Sequence, residues 1–301
     1  MTSGPGRRAD TDPATAPGDP VADDLDRLDA RQRELLLRWL PDLRVEADHS
    51  WGLVETTVLE VVAEGRRLIV KAGGPTDHHL ARELHAHRWW LGPWRTTGRA
   101  ATLLHGDASA RILVATFVPG RLVLGTPAQD EPDTYVQGGR LLAALHGQTS
   151  EVQPTEERAS ALGWLDREHR IDPSTEARLR DEVEGWPTTP TTVVPTHGDW
   201  QPRNWLVDDG VVRVIDLGRA ALRPAMSDLV RLAAQDFRRR PELEAAFLAG
   251  YGSDPREPRA WRRHRVREAI GTAVWAHQVG DAAFEAQGHR MIAETLADAP
   301  G

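Results

Sequence analysis

The fold of this chain is decided by residues 196–220, which read THGDWQPRNWLVDDGVVRVIDLGRA. Two short apolar runs flank Asp208-Asp209-Gly210, a sequence typical of a tight β-hairpin turn. Folding at that turn brings Asn204, just before the first run, opposite the end of the second run, where Asp216 follows. The pattern therefore predicts that the side chains of Asn204 and Asp216 project from the same end of a two-stranded ribbon.

The oxygen-bearing side chains of this stretch suit one kind of chemistry. A carboxylate and an amide oxygen side by side are hard ligands, which fit a Mg²⁺ ion that keeps several waters and bridges nucleotide phosphates. Asp199 lies on the loop before the hairpin, where it could accept the proton of a hydroxyl that attacks phosphorus. Asn204 and Asp216 are the predicted metal ligands, and Asp199 is the predicted catalytic base.

The tripeptide His-Gly-Asp is also an ordinary turn sequence, and the chain contains it twice. The second copy, His105-Gly106-Asp107, has Ile112 where the asparagine would stand, and no similar hairpin follows it. We interpret that copy as a loop between strands. The functional prediction at residues 196–220 therefore depends on the whole pattern and not on the tripeptide.

This stretch resembles the catalytic core of the aminoglycoside phosphotransferases and related small-molecule kinases. The resemblance implies an α+β, two-lobed, protein-kinase-like fold with an antiparallel-sheet N-lobe and a mostly helical C-lobe. It also implies Asp199 as the base and Asn204 and Asp216 as the metal ligands. The chain departs from the family at Trp200-Gln201, often leucine and histidine, and at Arg203, often glycine; both departures are predicted to line the approach of the substrate.

The composition narrows the classes of function. The chain has 301 residues, 27% of them charged and 40% hydrophobic, with a net charge of −8. This charge argues against nucleic acid as a main partner and is compatible with a cationic ligand. The absence of cysteine excludes disulfides and thiolate metal sites. No apolar run suits a membrane span and no signal peptide is recognisable, so the default expectation is a cytoplasmic protein without a membrane partner.

Two residue types occur once each. Lys71 is the single lysine among 37 basic residues, and Asn204 is the single asparagine. Such a bias indicates GC-rich coding, under which both residues appear where no substitute serves. A lysine ammonium is compact in a way that a guanidinium is not. We therefore predict that Lys71 contacts phosphate, against the alternative of a solvated lysine at the end of a strand.

Residues 24–118 are predicted to form the N-lobe, after an unstructured tail of residues 1–23. A helix is predicted over residues 24–40 and strands over residues 54–63 and 66–71. The turn that holds Ser50 and Gly52 is either a phosphate-covering loop, as the resemblance implies, or a plain hairpin turn. A helix over residues 77–91 carries Glu83, which the resemblance pairs with Lys71 to hold the donor phosphates.

The N-lobe is predicted to end in strands over residues 100–104 and 110–117. An apolar strand running into Val118-Pro119-Gly120 is typical of the hinge between kinase lobes. By the resemblance, backbone groups of Thr116, Phe117 and Val118 hold the adenine ring. The tryptophans at positions 89, 90 and 94 are predicted to lie in the core.

Residues 119–301 are predicted to form the helical C-lobe. Asp228 is expected both to cap a helix and, by the resemblance, to support the catalytic loop. The predicted helices cover residues 135–146, 162–169, 175–186, 228–238, 242–248, 258–279 and 281–296.

The predicted reaction is transfer of the γ-phosphoryl group of ATP or GTP to a hydroxyl of a small molecule. The acceptor is either an antibiotic such as an aminoglycoside, inactivated by the reaction, or a metabolite such as an amino alcohol, amino acid or sugar. Four acidic residues of the last third either meet a polycation or form a solvated helix surface: Asp236, Glu268, Asp281 and Glu285. The alternative of another class is a non-catalytic nucleotide-binding module, whose expected sign is loss of the base, the lysine or a metal ligand.

Overall fold

The structure is a computed structural model that describes residues 25–50 and 56–298. The predicted tail of residues 1–23 lies outside the described residues. Within them, the N-terminal part is an antiparallel sheet of five strands in the order β1-β2-β3-β5-β4. Its strands are β1 (Arg44–Asp48), β2 (Thr56–Ala63), β3 (Arg66–Gly73), β4 (Leu103–Asp107) and β5 (Ile112–Thr116).

Two helices cover the two faces of this sheet, α1 (Ala30–Trp39) and α2 (His79–Trp89). Because side chains alternate along a strand, Ile112 and Val114 of β5 pack with the α1 leucines, whereas Leu113 and Ala115 pack with those of α2. Lys71 pairs with Leu113 across the ladder between β3 and β5, so its side chain lies on the α2 face. The sheet therefore carries Lys71 towards the helix that carries Glu83.

The first helix begins later than the sequence predicts. A capping box fixes its start, because Asp29 accepts from the Gln32 backbone N–H and the Gln32 side chain accepts from the Asp29 N–H. The Gln32 amide also donates to the backbone oxygens of Gly73 and Ala110, both at 2.9 Å. The prediction of a helix from residue 24 is therefore wrong for the residues before Ala30. Leu25 and Leu28 are nevertheless buried in the core.

The second His-Gly-Asp copy lies in a strand, and its interpretation as a loop is wrong. Residues Gly106 and Asp107 pair with Leu113 and Ile112 in the ladder between β4 and β5. The turn lies beyond the tripeptide, because the Asp107 carboxylate accepts the backbone N–H groups of Ser109 and Ala110. β4 therefore begins and ends three residues later than the predicted strand over 100–104, whereas β5 lies within the predicted range of 110–117 and is shorter.

The C-terminal part is mainly helical, as predicted. Residues 258–279 are helical with the predicted bounds, whereas the predicted helix at 162–169 lies earlier in the chain and the one at 228–238 is divided. No helix in the described ranges is long and apolar enough to cross a membrane. The helices are α3 (Gly92–Arg95), α4 (Pro132–His146), α5 (Glu157–Leu165), α6 (Pro173–Glu184), α7 (Val230–Ala234), α8 (Asp236–Arg239), α9 (Pro241–Tyr251), α10 (Pro258–Val279) and α11 (Ala282–Ala297).

Two small sheets connect these helices to the rest of the chain. The first joins β6 (Arg121–Leu122), β9 (Trp205–Asp208) and β10 (Val211–Val214), and the second joins β7 (Glu151–Gln153), β8 (Thr191–Thr196) and β11 (Ala221–Arg223). A cluster of buried aromatic residues packs beneath the first of these sheets.

The prediction that the tryptophans at positions 89, 90 and 94 lie in the core is only partly correct. Trp94 is buried and packs on Trp200, with ring centroids 5.7 Å apart. Trp89 is 70% exposed, because it lies at the end of α2 on the side turned away from the sheet. Trp200 was expected to line the substrate approach; it is instead buried against Trp94 and Trp205.

Candidate active site

The predicted hairpin is confirmed. Strands β9 and β10 pair from Val211 opposite Asp208 to Val214 opposite Trp205. The turn residues Asp209 and Gly210 both have positive φ, 48° and 74°, as a tight two-residue turn requires. Beyond the strands, the Ile215 N–H donates to the Asn204 carbonyl oxygen at 3.0 Å, which places Asn204 and the residue before Asp216 side by side.

Asp228 supports the loop that leads to Asp199. Its carboxylate accepts the backbone N–H of His197 at 2.8 Å and that of Gly198 at 2.6 Å. The His146 ring Nε2 lies 3.1 Å from the same carboxylate. Burial alone would raise the pKa of Asp228, but the contact with His146 outweighs it and lowers the pKa.

The second expected role of Asp228, as a helix cap, is wrong. Asp228 lies inside a 3₁₀ turn, Ala225–Leu229, and its side chain makes no capping bond to the helix that follows. Both carboxylate oxygens are instead bonded to the loop N–H groups and to His146. The supporting role, which the resemblance implied, is the one that the contacts bear out.

Gly198 is required by the close approach of two loops. It has φ of +80°, and a Cβ at this position would lie 2.2 Å from the Arg219 carbonyl oxygen. Only glycine fits without moving backbone. The close contact between the two backbone segments at Gly198 fixes the position of Asp199, the next residue.

Asp199 is a buried carboxylate with four donors. Its Oδ1 accepts from Gln201 Nε2 at 2.6 Å and forms an ion pair with Arg231 Nε at 2.8 Å. Its Oδ2 accepts from Arg203 at 2.6 Å and from Asn204 Nδ2 at 3.0 Å. Burial alone would raise the pKa of Asp199, but the guanidinium groups of Arg231 and Arg203 outweigh it and lower the pKa to about 2.

The side chains of Asn204 and Asp216 offer oxygens at the end of the hairpin. The Asn204 amide nitrogen donates to the backbone oxygen and the carboxylate of Asp199, so its own oxygen is the atom left for a ligand role. Asp216 has φ of 64°, an uncommon backbone conformation for a residue with a side chain, and its side chain is 52% exposed. The Lys71 ammonium, 3.4 Å away, lowers the pKa of Asp216.

The predicted ion pair between Lys71 and Glu83 is confirmed. The Lys71 ammonium lies 2.8 and 3.0 Å from the two oxygens of Glu83, and both side chains are largely buried. Burial alone would lower the pKa of Lys71, but the carboxylates of Glu83 and then Asp216 outweigh it and raise the pKa. A contact between Lys71 and phosphate stays a prediction.

The predicted hinge at residues 116–118 offers fewer free backbone N–H groups than the sequence suggests. The Thr116 N–H donates to Thr102, and the Phe117 N–H donates to the Arg67 carbonyl oxygen at 3.2 Å. Val118 makes no backbone hydrogen bond with another described residue, so of the three predicted adenine-binding residues it keeps its N–H available.

The turn between β1 and β2 is partly described. Ser50 Oγ accepts the Val58 N–H at 2.9 Å, and the Ser50 N–H donates to Asp48 at 2.8 Å. These bonds fix the base of the turn. Gly52 lies outside the described residues, so a contact of Ser50 or Gly52 with phosphate stays a prediction.

The donor set at the hairpin end fits Mg²⁺. The buried Asn204 amide and the half-exposed Asp216 carboxylate lie at the same end of the hairpin. A carboxylate and an amide oxygen are hard ligands of the kind with which Mg²⁺ keeps waters and takes further ligands from phosphates. Across residues 25–50 and 56–298, no group of three or more His, Cys, Asp or Glu side chains is placed to enclose a metal. Asn204 and Asp216 are therefore the residues that could hold the ion.

The family follows from comparison with known proteins. The sequence profile described as "Phosphotransferase enzyme family" matches residues 52–265, well over half of the chain. The chain belongs to this phosphotransferase family. No curated protein matches it in a sequence comparison.

Solved structures of phosphotransferases share the fold. A complex of a thermostable aminoglycoside phosphotransferase APH(4)-Ia with AMP-PNP and hygromycin B has a TM-score of 0.65 at 14% identity, covering 89% of this chain and 98% of that one. Choline kinase LicA from Streptococcus pneumoniae has 0.63 at 16%, covering 89% and 98%. Macrolide 2'-phosphotransferase MphH from Brachybacterium faecium has 0.55 at 18%, covering 91% and 98%. The kinase-like fold is confirmed; at these identities the likeness extends to the fold alone.

Two contacts of this phosphotransferase were not anticipated from its sequence. Arg231 reaches Asp199 from a helix 32 positions later in the chain, and no local spacing signals such a contact. His146 was predicted only as the last residue of a helix, yet its ring joins Asp228 to the Tyr251 hydroxyl at 2.9 Å. The available signal was a histidine at the end of a predicted apolar helix.

Proposed function

We propose that this family member transfers the γ-phosphoryl group of ATP or GTP to a hydroxyl of a small molecule, with Mg²⁺ as cofactor. One observation carries the proposal: the Lys71–Glu83 ion pair contacts Asp216, and the residue before Asp216 bonds through its backbone to Asn204, whose side chain donates to Asp199. These five side chains come from the sheet, a helix and the hairpin. Their convergence is hard to explain for a module that only binds nucleotide, because such a module has no use for Asp199.

Each side chain has a task in the proposed reaction. Lys71, held by Glu83, would contact the donor phosphates as a compact positive charge. Asn204 and Asp216 would hold Mg²⁺, which supplies positive charge to the triphosphate oxygens. The protein contributes position and charge rather than covalent chemistry.

The bond changes are those of an in-line displacement. The acceptor oxygen forms a bond to the γ-phosphorus while the bond to the oxygen between the β- and γ-phosphorus breaks, and the electron pair leaves with the nucleoside diphosphate. The hydroxyl proton passes to the Asp199 carboxylate and from there to water. A low pKa of Asp199 is tolerable, because a loose transition state requires little deprotonation of the nucleophile.

The proposal is tested by Asp199→Asn. The change keeps the size of the side chain and removes its charge, so kcat should fall by about 10² to 10⁴. Nucleotide affinity should stay within a few-fold, because Lys71 and Asp216 are unchanged. The assay is release of nucleoside diphosphate, first with water as acceptor and then with a panel of alcohols.

Asp107→Asn is the matched control, because it makes the same change in the second His-Gly-Asp copy, which lies in β4. Its turnover should equal that of the unchanged protein. Weak nucleotide binding with intact turnover in Asp199→Asn would instead make Asp199 a metal ligand. Unchanged turnover and binding in Asp199→Asn would refute the proposal.

A further inference from the structure

Two arginines stand between the Asp199 carboxylate and solvent. Arg203 and Arg231 bind its two oxygens at 2.6 and 2.8 Å. The carboxylate is 3% exposed, whereas the side chains of Arg203 and Arg231 are 37% and 23% exposed. A molecule that approaches Asp199 therefore meets guanidinium groups first.

Two further arginines lie beside this pair. The Arg223 guanidinium donates to the Arg219 carbonyl oxygen at 2.9 Å, directly behind Gly198. The Arg219 side chain is exposed and has no hydrogen-bond or ion-pair partner among the described residues. Partial desolvation by the surrounding groups lowers the pKa of Arg219 although its surface is accessible, and the neighbouring guanidinium of Arg231 lowers it further.

Of the four acidic residues predicted to meet a polycation, Glu268 is the one that lies near the arginines. It interacts with Arg231 and Arg223 and forms an ion pair with Arg267 at 2.6 Å. The others lie apart from Asp199 in helices of the C-terminal part: Asp236 accepts from Gln129, Asp281 caps α11, and Glu285 is buried beside His277. The side of the cleft next to Asp199 is thus rich in positive charge, although the chain as a whole carries −8.

The donors on Asp199 leave no room for an acceptor hydroxyl. An ionised carboxylate offers about four lone-pair positions. Gln201, Asn204 and Arg203 donate to three of them, and Arg231 Nε lies against Oδ1 at 2.8 Å. Gln201 and Asn204 are neutral and buried. The more exposed Arg203 is the donor that can leave most easily, provided that another anion receives it.

We propose that the acceptor carries a carboxylate or phosphate group next to the reacting hydroxyl, and that Arg203, Arg219 and Arg231 bind this anion. Binding of the anion draws Arg203 away from Asp199 and opens a position for the hydroxyl. The inference rests on the proposed phosphotransfer at Asp199 and names its class of acceptor. An anionic metabolite fits this cleft better than a polycationic antibiotic, because like charges repel in a partly desolvated site.

The rival explanation is that the arginines serve only to hold Asp199. Arg219 separates the two explanations, because its side chain binds no described group and its replacement should not disturb the fold. If the arginines only hold Asp199, Arg219→Gln should leave anion binding unchanged.

The first experiment measures turnover with matched acceptors. Glycerate is compared with glyceramide, and glycerol 3-phosphate with glycerol, while choline and hygromycin B serve as cationic acceptors. At least one anionic compound should exceed its neutral partner about tenfold or more in kcat/KM, and the better one identifies carboxylate or phosphate as the preferred group. Turnover of a cationic acceptor in preference to all anionic ones would overturn the inference while leaving the proposed phosphotransfer intact.

The second experiment does not require the acceptor to be in the panel. With Mg²⁺ and a non-hydrolysable triphosphate bound at the donor site, malonate and sulfate are titrated as probe anions while Tm is measured. Both should raise Tm above a sodium chloride control of equal ionic strength. Arg219→Gln and Arg231→Gln should weaken the apparent affinity about tenfold.

Arg238→Gln is the matched control, because Arg238 is an exposed arginine of α8 that forms its ion pair with Glu294 of α11 rather than with Asp199. It should respond to the anions as the unchanged protein does. No specific rise in Tm, or an equal loss in Arg219→Gln and Arg238→Gln, would overturn the inference. Failure of the proposed function would give a different result, because Mg²⁺-dependent nucleotide binding would then be absent.

Discussion

The support of the catalytic loop by Asp228 predicts a specific loss in Asp228→Asn. The two carboxylate oxygens receive three donors: Gly198 N–H on Oδ1, and His197 N–H with His146 on Oδ2. An amide has one oxygen and one NH₂ group. Its best orientation keeps the oxygen where two donors meet and turns the NH₂ group towards the Gly198 N–H, so two donors face each other.

The size of the effect follows from that contact. A buried backbone N–H without an acceptor costs about 1–3 kcal/mol. The two remaining bonds also weaken, because hydrogen bonds to a charged group are roughly twice as strong as neutral ones. We expect Asp228→Asn to lower the free energy of unfolding by about 2–4 kcal/mol. Since Asp199 follows Gly198, a shift of about 1 Å in the loop should also lower kcat about 10²-fold.

Urea unfolding and steady-state kinetics measure these two effects. The midpoint should fall at an unchanged m value, and nucleotide affinity should change less than kcat. Asp172→Asn is the control, because Asp172 also accepts two backbone N–H groups but does so on the surface at the start of α6, where asparagine caps equally well. An Asp228→Asn protein with the unfolding midpoint of the Asp172→Asn control would refute the reasoning.

Three further predictions concern the cleft. Asp216→Asn should lose most of its Mg²⁺-dependent affinity for nucleotide while its metal-free affinity is kept, as measured by ATP titration with and without Mg²⁺; equal loss in both titrations would contradict the ligand role. Lys71→Arg should keep the fold by circular dichroism but lose most turnover, because a guanidinium is too large for the space between Glu83 and Asp216; unchanged kinetics would make the lysine dispensable. With the pKa of Asp199 at about 2, a pH profile of kcat should show no loss from this group above about pH 4. Arg203→Gln should move the acid limb of that profile to higher pH, because removal of a positive charge raises the pKa of a carboxyl. An unmoved limb would show that Arg203 does not act on Asp199.

The parts of the site that local geometry controls were predictable from the sequence. The turn at Asp209-Gly210 fixes the pairing of β9 with β10, and this register alone places Asn204 next to the residue before Asp216. Alternation along β3 places Lys71 on the face of the sheet that α2 covers, but its pairing with Glu83 was predicted from the family resemblance.

The parts that depend on tertiary packing were not predictable. The letters His-Gly-Asp are identical at both copies, yet ladder pairing makes one of them strand, whereas Gly198 is a left-handed turn. Asp228 precedes a helix and so has the pattern of a cap, but the catalytic loop lies closer to its oxygens than the helix N–H groups do. Arg231 reaches Asp199 only because the chain folds back over the loop.

The charge around Asp199 links the supporting contacts to the chemistry. A base works best when its pKa lies near the operating pH, and a carboxyl with a pKa of about 2 is far from that condition. A loose phosphoryl-transfer transition state asks the base mainly to aim the hydroxyl, because the proton leaves late. Arginines that lower the pKa of Asp199 therefore cost little in rate, and they fix the direction of the carboxylate. In the proposed reaction the same guanidinium groups would select the acceptor, so positioning of Asp199 and choice of acceptor would depend on one set of residues.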